Sequence, residues 1–464
     1  MPVPDLGRPR WAHIVGIGGG NMNTIASVLL AMGHRVSGSD QRSSPVLQRL
    51  QREGAAIFVG HDPANLGAAD AVTFSAAVAD DNVELAEARR RGTPVFTRAE
   101  MLAAICGERR TVAVSGTHGK TTTTAMLAGI LVESGSRPSY MVGGELAGGG
   151  SGARWDAGPW LVVEADESDG TFLALPAEGV VVTNIEADHV DHYGSFGALE
   201  DAFRSFVVGA PGPKVVCADD PVAASLSHDV TPAANLVTYG TSPEAGLHLS
   251  EVELGPGSSS FLARGERYSV GVPGMHNVLN AGGALAMALC VGATESAART
   301  ALANYRNVAR RFQTKGQRDG VTYIDDYAHN PGKVKAAVAT ARLGGWGRVV
   351  VVFQPHRYSR TAALWSEFGA AFQGADLLLV TSVYSAGEAP MPGIGGELIA
   401  GSARAACPGL EVVYVEGRAD LAASLRQLLR PGDLCLTMGA GDITTLSEEL
   451  LATPGQGGGR PRRQ

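Results

Sequence analysis

The chain is poor in the features that would place it in several large classes of protein. Its five cysteines, Cys106, Cys217, Cys290, Cys407 and Cys435, are scattered, so neither a Cys-x-x-Cys metal or redox motif nor a disulfide framework is expected. No run of about 18 apolar residues occurs, which predicts no membrane span. The segment Met1 to Trp11 has no apolar core, so no cleaved leader is expected and the cytoplasm is the expected compartment. Basic residues are outnumbered, 38 Lys and Arg against 46 Asp and Glu for a net charge of -8, which argues against a broad nucleic-acid or anionic-membrane footprint. Small molecules are the expected partners. Glycine alone is in excess, with 61 residues in 464 where an average composition of about 7% would give half as many. Tight turns and close backbone approaches should therefore be frequent.

At 464 residues with 45% hydrophobic content, the chain is long enough for about three domains. Short β-branched runs alternate with Ala- and Leu-rich stretches of helical period: His13 to Val15 then Ile25 to Met32, Val112 to Val114 then Thr121 to Ser134, Val349 to Phe353 then Ala362 to Phe372. That alternation predicts an α/β fold built from parallel βαβ units. Changes of motif near Cys106 to Arg110 and Asn307 to Arg311 predict domains over 1–107, 108–308 and 309–453, followed by a Gly-, Pro- and Arg-rich tail, 454–464, expected to be disordered. Pro243 to Val270 alternates polar and apolar residues and reads as a small antiparallel excursion.

Two glycine loops follow strands and open helices. The first, Gly16-Ile17-Gly18-Gly19-Gly20-Asn21-Met22, aims backbone amides at a phosphate or diphosphate, and Asp40 ends the next strand where a ribose would lie. A nicotinamide enzyme would use such a loop, but the third glycine of the dinucleotide fingerprint is Asn21 here. A tight turn without ligand is the bland alternative. The second loop is more specific. Val112 to Val114 runs into Ser115-Gly116-Thr117-His118-Gly119-Lys120-Thr121-Thr122, a Gly-Lys-Thr loop whose amides would cradle nucleotide phosphates, with Lys120 neutralising them and the Thr121 hydroxyl facing Mg²⁺. Its first glycine position is Val114, which separates it from the full motif of most motor ATPases. Downstream, two successive strand ends bear acids: Glu164-Ala165-Asp166-Glu167-Ser168-Asp169, and Asn184-Ile185-Glu186-Ala187-Asp188-His189-Val190-Asp191. Carboxylates and a neutral imidazole suit Mg²⁺, although either cluster alone could be a solvated loop. Near the C-terminus, Asp325-Asp326-Tyr327-Ala328-His329-Asn330 and Gln354-Pro355-His356-Arg357-Tyr358-Ser359-Arg360 supply carboxylate, imidazole and guanidinium groups suited to ribose, phosphate or carboxylate. Met438-Gly439-Ala440-Gly441-Asp442 resembles a further helix-start turn, with Asp442 as its expected cap.

These motifs, in this order, resemble those of the Mur ligases, together with Ser37-Gly38-Ser39-Asp40, Gly60-His61-Asp62-Pro63-Ala64-Asn65, Arg98-Ala99-Glu100-Met101-Leu102, Gly274-Met275-His276-Asn277 and Arg310-Arg311-Phe312-Gln313. The resemblance runs from His13 to about Leu451. It implies an N-terminal Rossmann-like domain for a UDP-sugar, a central P-loop ATPase, and a C-terminal Rossmann-like domain closing over ATP and an amino acid. It also implies that the γ-phosphoryl of MgATP activates the lactyl carboxylate of UDP-N-acetylmuramate as an acyl phosphate, which the amine of L-alanine attacks. By resemblance, Gly18, Gly19, Gly20, Asn21, Met22, Asp40 and Ser75 hold the UDP-sugar. Gly116, Thr117, His118, Gly119, Lys120, Thr121, Thr122, Asn277, Arg311, Asp326 and His329 hold ATP. Thr121, Glu164 and His189 ligate Mg²⁺, and Lys120, His189, His356, Arg357 and Arg360 serve the reaction. A monomer or weak homo-oligomer is expected. A family member that rejoins a tripeptide to the same sugar nucleotide is the nearest alternative, but it usually has Tyr where Ser168 stands. A silent nucleotide-binding relative would not be expected to retain Lys120, Glu164, His189 and Arg357. Four departures stand out: Asn21 and Asn23 for the usual glycine and serine, Asn330 for a second histidine, and Phe203 where sister ligases have a carbamoylated lysine, so no carbamate is expected.

Overall fold

The computed structural model describes residues 4–75, 77–144, 152–188, 190–230 and 235–452. The tail 454–464 and His189 lie outside the described residues. The chain divides into two compact units, one made of residues up to 253 with 259–272 and 276–308, the other of 254–258, 273–275 and the chain from 309 onward.

The first unit contains one wholly parallel sheet and a second that is parallel except for its antiparallel edge strand Ala153–Arg154. One has β1 (Trp11–Val15), β2 (Arg35–Asp40), β3 (Ala56–Val59), β4 (Ala71–Phe74) and β5 (Val95–Thr97) in the order β3-β2-β1-β4-β5, with every pair parallel. The other has β6 (Arg110–Ser115), β7 (Ser139–Met141), β8 (Ala153–Arg154), β9 (Trp160–Glu164), β10 (Gly179–Val182), β11 (Lys214–Cys217), β12 (Leu236–Gly240) and β13 (Leu247–His248) in the order β13-β12-β11-β10-β6-β9-β7-β8. The small antiparallel excursion expected after Pro243 is present as β14 (Ser250–Leu254), β15 (Ser259–Ala263) and β16 (Glu266–Val270), where Phe261 pairs with Tyr268. In the second unit β17 (Gln313–Arg318), β18 (Val321–Asp326), β19 (Arg348–Phe353), β20 (Leu377–Thr381), β21 (Glu411–Val415) and β22 (Asp433–Met438) take the order β17-β18-β22-β19-β20-β21.

The valine-rich runs explain these sheets. Val112 to Val114, Val180 to Val182 and Val349 to Phe353 are wholly buried, as strands covered by helices on both faces require. Strand order also decides where ligands can reach the backbone. β1 sits between β2 and β4, and β6 between β9 and β10, so the chain leaves each in opposite directions and opens a crevice at its carboxyl end. Both glycine loops emerge there. In the second unit the adjacent strands β18, β22 and β19 deliver residues 327–330, 439–442 and 354–357 to one sheet end.

Candidate functional site

The first loop leads directly into the helix Gly20–Ala31, whose N-cap residue Gly19 makes no side-chain cap. Its first amides therefore have no intrahelical acceptor and remain available to an anion. Asp40, at the end of β2, accepts the Gly18 N–H at 2.9 Å, which fixes the loop as well as facing it. A Cβ added at Gly16 would lie 3.0 Å from that of Ser75, so Ser75 abuts the loop as well. Asn21 is exposed and Met22 is buried in the core at 1% exposure, so Met22 can offer a ligand only its backbone.

The Gly-Lys-Thr loop is shaped from outside. Gly119 has φ +83° and an added Cβ would run into Asn280 Oδ1, so only glycine fits the entry to the helix Lys120–Glu133. The Asn184 side chain clamps the loop from both sides: Oδ1 accepts the His118 N–H at 2.8 Å, and Nδ2 donates to the His118 carbonyl at 3.1 Å. Thr117 Oγ1 accepts the Glu186 N–H at 2.9 Å, and His118 Nε2 lies 2.8 Å from Glu186 Oε2. Asn277, 2% exposed, meets Asn280 at 3.4 Å, and Asn280 in turn accepts from Thr123. Residues 277 and 280 thus connect the helix Met275–Cys290 to the loop.

Lys120 is oriented by an acid. Its Nζ lies 2.9 and 2.7 Å from the two oxygens of Glu167 and donates to the Gly116 carbonyl at 2.6 Å. Burial works against the ammonium charge, but Glu167, Asp166 and Glu164 outweigh it and raise the lysine above its ordinary value. The Glu167 carbonyl is itself held by the Tyr193 hydroxyl and the Gly170 N–H. The four acids of this segment are sorted rather than pooled: Glu164 accepts the Gly143 N–H at 3.0 Å, Asp166 the Ser168 N–H at 3.1 Å, Glu167 pairs with Lys120, and Asp169 pairs with Arg98 at 2.6 Å. Glu164 is registered with Val114, the last residue before Ser115 and the loop. The adjoining turn reaches Thr121 as well, since a Cβ on Gly144 would stand 4.0 Å from Thr121 Cγ2. Among the described residues no group of three His, Cys, Asp or Glu side chains is arranged to hold a metal.

In the second unit Asp326 accepts the Phe312 and Ala328 N–H groups, both at 2.7 Å. Arg311 and Arg310 lie over the Tyr327 ring, and Arg310 also donates to the Gly439 carbonyl at 2.9 Å. His329 donates from Nδ1 to the Tyr327 carbonyl at 2.7 Å, and burial, with Lys333 and Arg360 nearby, depresses its pKa well below the ordinary value. Its Nε2 is therefore an acceptor. His356 stacks on Tyr384 and its Nδ1 lies 3.3 Å from Arg360 Nη1. Burial, then Arg360 and Arg357, lower it to about 4, so it is neutral near pH 7. Arg357 holds φ +72° ahead of the helix Tyr358–Ala371, a conformation that costs of order 1–3 kcal/mol for a non-glycine residue and concentrates at working sites. One expectation fails here. Asp442 caps nothing; it accepts from Gln354 Nε2 at 2.7 Å, and Gly441 stands at the cap position, because Gln354 lies within reach from the end of β19.

Family models match three stretches: "Mur ligase family, catalytic domain" over residues 12–110, "Mur ligase middle domain" over 161–288 and "Mur ligase, glutamate ligase domain" over 310–441. The chain belongs to the Mur ligase family. Curated relatives named UDP-N-acetylmuramate–L-alanine ligase include that of Solidesulfovibrio magneticus, 46% identical over 95% of this chain and 98% of its own. That of Rubrobacter xylanophilus is 45% identical over 95% and 99%. The crystal structure of the UDP-N-acetylmuramate-alanine ligase of Thermotoga maritima superposes with a TM-score of 0.81 at 29% identity, covering 95% of this chain and 98% of that one. A murein peptide ligase of Psychrobacter arcticus shares the fold, with a TM-score of 0.69 at 21% identity.

The departures from the Mur ligase pattern have local explanations. Asn21 lies inside the helix Gly20–Ala31 and is absent from the positive-φ residues, so the backbone there does not require glycine. Asn23 donates to the Gly19 and Gly20 carbonyls at 2.9 and 2.8 Å and accepts from Arg49, tying down the loop. Asn330 caps the helix Pro331–Ala341 by accepting the Lys333 N–H at 3.0 Å. Phe203 is buried against Phe172. Sequence reasoning missed Asn184, Glu167 and Asn280 as builders of the loop, although each falls within or beside a motif it had singled out.

Proposed function

We infer that this Mur ligase joins L-alanine to the lactyl carboxylate of UDP-N-acetylmuramate at the expense of ATP. The observation that supports it best is the Gly-Lys-Thr loop with a charged Lys120 oriented by Glu167, and Glu164 in register with the strand that leads into the loop, within a chain 46% identical to a relative of that name. A carboxylate is a poor electrophile, so the γ-phosphoryl is transferred to it; the acyl phosphate is attacked by the alanine amine, and the tetrahedral adduct collapses to amide and phosphate, leaving ADP from the first step. No enzyme nucleophile is required. Positioning and charge neutralisation do the work.

For the nucleotide we assign the amides of Gly116 to Thr122 and, in the second unit, Arg311, Asp326 and His329; Asn277 lines the adenine end. Gly18 to Met22, Asp40 and Ser75 take the UDP-sugar. Magnesium keeps several waters and needs only one or two protein carboxylates, and the donor set of Thr121 hydroxyl, Glu164 and His189 fits that demand. Bound there, the ion would neutralise charge gathering on the transferred phosphoryl group. His356, Arg357 and Arg360 are assigned to the amino acid and the reacting carboxylate. The domain division at 107/108 and 308/309, the cytoplasmic setting and a monomer or weak homo-oligomer belong to the same reading.

The test is phosphate release with ATP, Mg²⁺, UDP-N-acetylmuramate and a panel of amines. Alanine should stimulate release. Stimulation by the tripeptide alone would instead indicate the recycling activity, and no stimulation by any amine would refute a ligase.

A further inference from the structure

The motif Arg98-Ala99-Glu100-Met101-Leu102 is without a task after the reaction has been assigned. Thr97 and Glu100 form a reciprocal capping box that fixes the start of the helix Arg98–Gly107, and so fixes where Arg98 leaves the backbone. Its side chain is 14% exposed and Nη2 donates to Asp169 Oδ2 at 2.6 Å and to Thr171 Oγ1 at 3.5 Å. Among the described residues, Nε and Nη1 make no hydrogen bond, so half of the guanidinium fork is held and half is uncommitted.

Arg98 borders a cavity of about 30 Å³. Asn21 and Thr24, at the start of the helix that follows the first glycine loop, form one wall, and Glu164, Asp166 and Gly143 form another. Arg98 is the single cation among the described residues lining it. The cavity therefore joins the loop assigned to the sugar nucleotide to the acid assigned to the metal. A carboxylate arriving from the sugar side passes Asp166, a like charge that would repel it, before it reaches the acid assigned to the metal.

We propose that Arg98 binds the lactyl carboxylate of the sugar nucleotide through its uncommitted nitrogens and escorts it past Asp166 toward the γ-phosphate. Asp169 and Thr171 act as the tether that points the fork. This rests on the ligase reading above and adds to the residues assigned there a further contact for the substrate's acid group, on the sugar side.

The experiment compares two ligands that share the UDP-hexosamine body, UDP-N-acetylmuramate and UDP-N-acetylglucosamine, which lacks the lactyl acid. Arg98→Met should raise KM for UDP-N-acetylmuramate by about tenfold or more, as loss of a charge-assisted bond does. UDP-N-acetylglucosamine binding and the KM for ATP should stay within about twofold, and added guanidinium should restore part of the rate. Arg98→Lys should fall between, and Asp169→Asn, which cuts the tether but keeps the fork, should have a smaller effect than Arg98→Met. Equal weakening of both sugar nucleotides, or an Asp169→Asn variant matching Arg98→Met in every readout, would overturn the assignment and leave a purely structural bridge. A wild-type chain inactive with UDP-N-acetylmuramate and alanine would instead overturn the ligase reading itself.

Discussion

Replacing Lys120 by Met tests whether this lysine serves the fold as well as the nucleotide. Its Nζ is held by both Glu167 oxygens at 2.7 and 2.9 Å, with the two side chains 13% and 2% exposed. Removing one member of such a pair strands the other charge in the interior, at about 3–5 kcal/mol. At roughly 2 °C per kcal/mol for a large unit, the first thermal transition should fall by roughly 6–10 °C. Phosphate release should vanish at the same time. Adding Glu167→Gln to Lys120→Met removes the stranded charge, so the double variant should regain most of the lost temperature while remaining inactive. Differential scanning calorimetry on the wild type, both single variants and the double variant separates the effects. A Lys120→Met transition within about 1 °C of wild type, or a double variant no more stable than Lys120→Met, would show that the pair is not coupled as described.

Glu84 is wholly buried among His13, Ser39 and Asn65; burial pushes its pKa up, but those hydrogen bonds prevail and hold it at about 2 against an ordinary 4.5. Because the folded pKa is depressed, the carboxylate stabilises the fold above pH 4.5 by about 3 kcal/mol, a contribution lost as pH falls toward 2; Glu84→Gln should lower stability at pH 7, and urea melts should show the gap closing with acid. Asn330→Ala, which deletes the cap on Pro331–Ala341, should cost about 1 kcal/mol, read by denaturant titration. With His356 at about 4, kcat/KM between pH 6 and 8 should show no ionisation belonging to it, and an acid limb in that range abolished by His356→Gln would contradict its neutral state.

The strand–loop–helix pattern was legible from sequence because it is local. A β-branched run, a glycine turn and a helical period report backbone conformation within a dozen residues, and β1, β6 and β19 fall where those patterns place them. The collinear motifs likewise pointed to the family. Spacing could not say which acid does what. Glu164, Asp166, Glu167 and Asp169 look interchangeable in sequence, yet the turn after β9 sends them to Gly143, Ser168, Lys120 and Arg98. The clamp from Asn184 and the backing of Gly119 by Asn280 depend on partners 66 and about 160 residues away, brought together by strand order.

Sequence by itself determined the α/β class, the two phosphate-type loops and the family, since each is written in residues close together along the chain. Only the tertiary structure decided that Lys120 is held by Glu167, that Asp442 serves Gln354 rather than a helix start, and that Arg98 borders the gap between loop and acids. Those pairings arise where sheet ends converge, and a charge finds its partner there by distance in space, which hydrophobic period and motif spacing do not encode.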